Sequence, residues 1–170
     1  IRDSHCVAME EARVDPSAGG SERAGICRSC TVRARRIVER FEFPSRVLAD
    51  YITDDHRREV DEIVANVTRD SWSDLVVDGV DIGRFAAYEF LLKYKISDFN
   101  IPKDVWPIYL GQLRNSLLVH RATPLLLDDV KPDVAMAYNT LYSMNRVFKA
   151  HCELRDIACY SLQLSLIHIS

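Results

Sequence analysis

The chain has 170 residues, 48% of them hydrophobic, and a formal net charge of −3 at pH 7. This composition excludes a disordered chain, and the acidic balance argues against a general nucleic-acid-binding surface. No apolar run approaches the roughly 20 residues of a membrane-spanning helix, and no secretory signal is evident. Five cysteines, an odd number, favour a reducing compartment over a disulfide framework. We therefore expect a cytoplasmic protein.

Residues 1–31 are rich in Gly, Ser and Glu, and this composition predicts a loop region. Cys27 and Cys30 form a Cys-x-x-Cys pair, a spacing that allows two thiolates to bind one tetrahedral ion. Cys6 is a candidate third ligand, and His5 or a cysteine upstream of the chain is a candidate fourth. The hypothesis is a structural zinc site. A redox pair and incidental buried thiols remain the alternatives.

The segment from Thr31 to Phe41 is predicted to be a helix with a cluster of arginines: Arg33, Arg35, Arg36 and Arg40. Such a cluster suits contact with phosphate or with a membrane surface. The plainer interpretation is a solvated helix face, because Glu39 and Glu42 are interspersed with the arginines.

Three further helices are predicted in the middle of the chain. The first begins at Asp54-Asp55, whose carboxylates favour a helix N-terminus. The second spans Arg84 to Lys95, and the third spans Val105 to Leu127, where Pro124 should kink or divide it.

Two polar residues in this region invite functional interpretations. Asp78-Gly79 suits a type I′ turn, so turn chemistry is favoured over a catalytic role for Asp78. His120 lies among apolar neighbours, a pattern typical of a core or rim histidine whose hydrogen bonds are satisfied.

The stretch from Val130 to Tyr160 predicts a strand at 133–138, a helix and a second strand at 157–160, which is one βαβ unit. Asn139 or Thr140 is expected to cap the helix. Ligands of such sheets gather at the carboxyl ends of strands. The candidate substrate-binding residues are therefore those that follow the first strand, namely Asn139, Thr140, Tyr142, Asn145 and Arg146.

Several local patterns, spread over residues 5–161, resemble one protein family. A cysteine is followed after about twenty residues by Cys-x-x-Cys, Val77–Gly83 reads VDGVDIG, and Leu125–Ser161 contains P-D-x-x-x-x-x-N followed by an arginine. In these features the chain resembles the N-terminal half of bacterial capsule and surface-polysaccharide biosynthesis proteins, which are glycosyltransferase-like with a GT-B fold. Thr140 departs from the pattern, since glycine is common at that position.

The resemblance implies a helix-rich α/β domain of Rossmann-like, GT-B N-terminal type with short parallel strands, incomplete at both ends. Residues 32–161 would form this acceptor-side domain, and residues 162–170 are expected to be a non-native tail. A glycan or lipid-linked saccharide would be the acceptor, with the protein located at the inner face of the membrane. The nucleotide-sugar donor would bind a second domain beyond residue 161, so this fragment alone is expected to be inactive.

Two other functions fit parts of the sequence. A zinc-stabilised protein-interaction module without catalysis would use Cys6, Cys27 and Cys30. A nucleic-acid-binding protein would use the arginine cluster, but the acidic balance and the lack of interleaved aromatic residues oppose it. The sequence identifies no catalytic base.

Overall fold

A computed structural model describes residues 20–42, 44–96 and 100–162 of the chain. The chain divides into two compact units, Ile1–Val47 and Leu48–Ser170. The fold is helix-rich α/β with a short parallel sheet, as the sequence predicted at this coarse level.

In the first unit, helix α1 spans Gly20–Phe41. The prediction of a loop up to residue 31 is therefore wrong for residues 20–31, and the predicted domain boundary at that position lies inside a helix. The segment contains two glycines but no proline, and glycine lowers helix stability without preventing the helix. Cys6 and His5 lie outside the described residues.

The second unit begins with a 3₁₀ turn at Leu48–Tyr51, followed by helix α2 at Asp54–Asn66. Thr53 starts α2 with a capping box: its hydroxyl accepts from the His56 amide at 3.1 Å, and the His56 ring accepts from the Thr53 amide at 3.4 Å. A second 3₁₀ turn covers Trp72–Asp74.

The tight turn predicted at Asp78-Gly79 is confirmed. Val77 and Val80 exchange two backbone hydrogen bonds, each 2.9 Å long. Asp78 has φ 49° and Gly79 has φ 80°, and two positive φ angles are what a type I′ turn requires.

Helices α3 (Ile82–Tyr94) and α4 (Trp106–Val130) form the centre of the core. Leu113 and Leu117 of α4 are completely buried. Tyr109 is also buried, and its hydroxyl donates to the Gly83 carbonyl at 3.1 Å, which joins α4 to the start of α3. Burial raises the pKa of the Tyr109 hydroxyl well above its usual value.

Pro124 was predicted to kink the helix or to divide it. Helix α4 continues through Pro124, so the proline does not divide it. Proline lacks the amide that would donate to the carbonyl four residues earlier, which belongs to His120. The carbonyl of His120 raises the pKa of His151, against larger opposing effects.

The predicted βαβ unit is confirmed: strand β1 is Val134–Tyr138, helix α5 is Ser143–Glu153, and strand β2 is Ala158–Leu162. The strands pair in parallel, with Val134 opposite Ala158 and Tyr138 opposite Leu162. Leu162 therefore belongs to a strand, and residues 163–170 of the predicted tail lie outside the described residues. One face of the sheet packs on Leu127 and Cys152, whereas Met136 and Tyr160 are exposed on the other.

None of the helices in the described ranges combines the length and the apolar character that crossing a membrane requires.

Candidate functional site

The backbone at the carboxyl end of β1 is held by the Asn145 side chain of α5 and by β2. The Asn139 amide donates to the Leu162 carbonyl at 2.9 Å. The Asn145 side chain donates to the Tyr138 carbonyl and, at 3.5 Å, to that of Asn139. Asn139 itself has φ 45°, a left-handed conformation that asparagine tolerates well. These bonds fix the turn between β1 and α5.

The prediction that Asn139 or Thr140 caps the helix is wrong. Helix α5 begins at Ser143 with Tyr142 at the N-cap position, and Tyr142 makes no side-chain capping bond. The Asn139 side-chain oxygen instead accepts from the Leu141 amide at 3.2 Å. Thr140 is buried, and its amide donates to the Ser161 hydroxyl at 3.3 Å.

A carboxylate from another helix takes the capping role. Glu89 of α3 accepts from the Ser143 amide at 3.0 Å and from the Gln112 side chain at 3.1 Å, both on its Oε2 atom. Gln112 also donates to the Ser143 hydroxyl at 2.6 Å. The helix dipole favours a negative group at this end of α5. Within residues 20–42, 44–96 and 100–162, no hydrogen bond ends on Glu89 Oε1.

Arg146 lies one helical turn after Ser143 and stacks on an aromatic ring of α3. Its guanidinium carbon is 5.0 Å from the centre of the Phe85 ring, a cation–π arrangement. Phe85 and Glu89 are four residues apart on α3, so they occupy neighbouring positions on one helix face. No carboxylate from the described part of the chain forms an ion pair with Arg146. The Arg146 charge is therefore available to an anionic group.

Two tyrosine rings lie at the same end of the strand. Tyr138 is 52% exposed and Tyr142 is 39% exposed. Flat, partly exposed rings provide contact area at low entropic cost, and their hydroxyls can exchange hydrogen bonds with a polar ligand.

The structure thus places all five predicted substrate residues around one turn, but it gives them different tasks. Asn145 and Thr140 hold the backbone, Asn139 does so in part, and Tyr142 and Arg146 are accessible. Sequence reasoning missed Glu89, Gln112 and Phe85. One local signal exists, because Glu89 interrupts an apolar stretch and follows Phe85 by four residues, but its partner Ser143 is 54 positions away.

A second polar cluster joins the Asp78 turn to α4 and α5. His120 Nε2 lies 3.1 Å from the Asp78 carboxylate, and His151 Nε2 lies 2.9 Å from His120 Nδ1. Arg121 binds both Asp78 and Glu59. His120 is a buried histidine with satisfied hydrogen bonds, as predicted. The turn at Asp78 was predicted, but the contacts of its carboxylate with His120 and Arg121 were not.

The hydrogen bonds define the protonation of this cluster. The hydrogen bonds from Arg121 and then His120 lower the pKa of Asp78, so Asp78 is an anion that accepts a hydrogen bond from His120 Nε2. Neutral His120 then presents a lone pair at Nδ1, and His151 Nε2 donates to it. His151 Nδ1 is left as a buried acceptor that has no partner within the described residues.

Burial lowers the pKa of both histidines. The pKa of His151 falls to about 4, with the charge of His120 as the next cause. Burial also lowers the pKa of His120, and the hydrogen bond with Asp78 opposes this effect in part. Beside His151 on α5, burial and the neighbouring Cys159 raise the pKa of the Cys152 thiol to about 11. These groups are therefore neutral at pH 7.

The candidate metal ligands Cys27 and Cys30 are both exposed on α1. Among the described residues, no group of three or more His, Cys, Asp or Glu side chains could hold a metal ion. A tetrahedral zinc site needs four ligands, and Cys27 and Cys30 would be only two of them. The zinc site with Cys6 stays a prediction.

Comparison of the chain with protein-family models, with curated proteins and with solved structures gave no significant match.

Proposed function

We propose that residues 48–162 form a Rossmann-like acceptor-binding domain of a glycosyltransferase that acts in capsular or surface-polysaccharide biosynthesis. The observation that carries the proposal is the position of the Glu89 carboxylate, which accepts from the Ser143 amide at the start of α5, one helical turn before Arg146 in the sequence. The family resemblance of the sequence and the parallel βαβ unit support the same function.

The proposed reaction needs a base for the acceptor hydroxyl. The acceptor oxygen attacks the anomeric carbon of a nucleotide sugar, the bond from that carbon to the phosphate oxygen breaks, and the nucleotide diphosphate leaves. Glu89 Oε1 takes the hydroxyl proton, while Oε2 is held by the Ser143 amide and Gln112. A base with one oxygen fixed in this way is positioned before the substrate arrives.

Arg146 binds a negatively charged group of the substrates. A guanidinium stacked on Phe85 keeps its donors in a fixed plane, and arginine binds phosphate through two parallel hydrogen bonds. This phosphate belongs to a lipid-linked acceptor or to the donor. The ring of Tyr142, which directly precedes α5, provides a surface on which a sugar ring stacks.

The first test is binding of the chain to an array of saccharides, because acceptor binding does not require the donor domain. We compare Tyr142→Ala with Tyr160→Ala, a matched control that removes an exposed tyrosine from the outer face of the sheet. Loss of one stacking contact should weaken binding about tenfold in Tyr142→Ala, equivalent to about 1.4 kcal/mol, and leave the control unchanged.

Glu89→Gln separates binding from catalysis. The neutral amide keeps the shape of the side chain and an acceptor oxygen for Ser143, so saccharide binding should be retained. In a transfer assay with the donor domain present, the rate should fall by a factor of about 10² to 10⁴. Failure of the whole array to bind, or equal losses in Tyr142→Ala and Tyr160→Ala, would overturn the proposed function.

A further inference from the structure

From Ile26 to Phe41, helix α1 separates apolar from basic side chains. With about 100° of rotation per residue, one sector about 120° wide carries only apolar or small side chains. Its members are Ile26, Cys27, Cys30, Ala34, Ile37, Val38 and Phe41. Ile26 and Cys30 belong to this face because residues 20–31 are helical, which aligns these two side chains with those of the later turns.

Most of this apolar face is exposed to solvent, whereas Ile26 and Val38 are half-buried. Ile37 is 53% exposed and Phe41 is 62% exposed, and the Cys30 side chain is exposed as well. Exposed phenylalanine and isoleucine on successive turns of one helix face form a contiguous apolar strip. Burial of such a strip against another apolar phase is favourable in proportion to its area.

Arginines occupy the opposite side of the helix. Arg28, Arg35 and Arg36 lie away from the apolar strip, with exposed Val32 between them, whereas Arg33 and Arg40 border it. The sequence of α1 contains six arginines and two glutamates, a net charge of +4, whereas the whole chain carries −3. Helix α1 is therefore a segment of net positive charge in a chain whose overall charge is negative.

We propose that α1 lies in the surface of an anionic phospholipid bilayer, with Ile37 and Phe41 inserted among the acyl chains and the arginines at the phosphate headgroups. A helix with an apolar strip, a basic opposite face and low overall hydrophobicity is the type that lies in the membrane interface. Arg33 and Arg40 border the strip, so their long side chains can extend to the headgroups. The charge of α1 complements anionic lipid.

A nucleic acid is the other polyanion that arginines bind, but the apolar strip disfavours it. Nucleic-acid binding through arginines leaves Ile37 and Phe41 in water, whereas insertion into a bilayer buries them. The lack of a membrane-spanning helix in the described ranges is compatible with a helix that lies on the surface. This inference is independent of the site at Glu89, so Glu89→Gln should bind vesicles as the unchanged chain does.

The test is flotation of the full chain with vesicles of phosphatidylglycerol and phosphatidylcholine, against vesicles of phosphatidylcholine alone. We expect binding to the anionic vesicles, little binding to the neutral ones, and release as salt is raised to about 0.5 M. Arg35→Gln with Arg36→Gln should weaken binding roughly 30-fold, because each basic residue contributes about fivefold near an anionic surface. Ile37→Asp with Phe41→Asp should abolish it.

Matched controls use the second unit. Arg57→Gln with Arg58→Gln removes the same charge from α2, and Leu92→Asp alters an exposed apolar residue of α3; both should bind like the unchanged chain. Circular dichroism of each variant verifies that the helices are retained. Equal binding to neutral vesicles, equal losses in the controls, or binding to duplex DNA or RNA but not to anionic vesicles would each overturn the proposal.

Discussion

Replacement of His151 by glutamine should make the stability of the second unit less sensitive to acid. The glutamine amide can still donate to His120 Nδ1, as the His151 ring does at 2.9 Å, but it does not titrate. The change therefore removes one ionisable group while retaining the hydrogen bond that joins α5 to α4.

The size of the effect follows from the pKa of His151, which is 6.5 in the unfolded chain and about 4 in the folded protein. The unfolded chain binds the proton more tightly, so folding is favoured above pH 6.5 and this contribution is lost as the pH falls towards 4. The shift corresponds to about 3 kcal/mol between pH 7 and pH 4. His120, whose pKa is also lowered, adds to the loss in both proteins.

Urea unfolding at pH 7, 6, 5 and 4, followed by the fluorescence of Trp72 and Trp106, measures this contribution. The free energy of unfolding of the unchanged chain minus that of His151→Gln should fall by about 3 kcal/mol from pH 7 to pH 4. Val147→Ala is the control, because it lies on the same helix and removes no titrating group, so its penalty should be constant. A His151→Gln difference that is constant or that rises as the pH falls would refute the reasoning.

Three substitutions, and a fourth that serves as a contrast, test the packing of the fold. Gly83→Ala places a Cβ atom 1.8 Å from the Trp72 carbonyl oxygen and should lower the free energy of unfolding by about 3 kcal/mol or more. At Gly25, by contrast, an added Cβ atom meets nothing within 4 Å. Gly25→Ala should therefore raise the helicity of α1 in circular dichroism. Leu117→Ala creates a cavity in the core and should cost about 2–5 kcal/mol in urea unfolding. Tyr109→Phe removes one buried hydrogen bond and should cost about 1 kcal/mol, and a neutral result in either core variant would contradict the packing described.

The sequence allowed the βαβ unit to be predicted because its signals are local. Pro132 precedes a short apolar run, and the hydrophobic period then changes from two to between three and four. The start of α5 was predicted too early, at Asn139 or Thr140 rather than Ser143. The Asn145 bond to the Tyr138 carbonyl and the left-handed Asn139 extend the turn, and neither is visible as a periodicity.

Contacts between distant segments could not be predicted. Glu89 and Ser143 are joined by the packing of α3 on α5, and Asp78 meets His120 only because the turn lies against α4. At α1 the error had a different origin, since glycine and serine indicated a loop. The intrinsic cost of one or two glycines is about 1 kcal/mol each, which a 22-residue helix tolerates.

The most direct test of the acceptor site is an amide NMR titration of the chain with saccharides selected on the array. The account predicts that the signals of Thr140, Ser143 and Arg146 shift in proportion to bound saccharide, and that Tyr142→Ala suppresses these shifts. Shifts confined to α2 or to the Asp78 turn, with the β1–α5 signals unchanged, would contradict the assignment of the site.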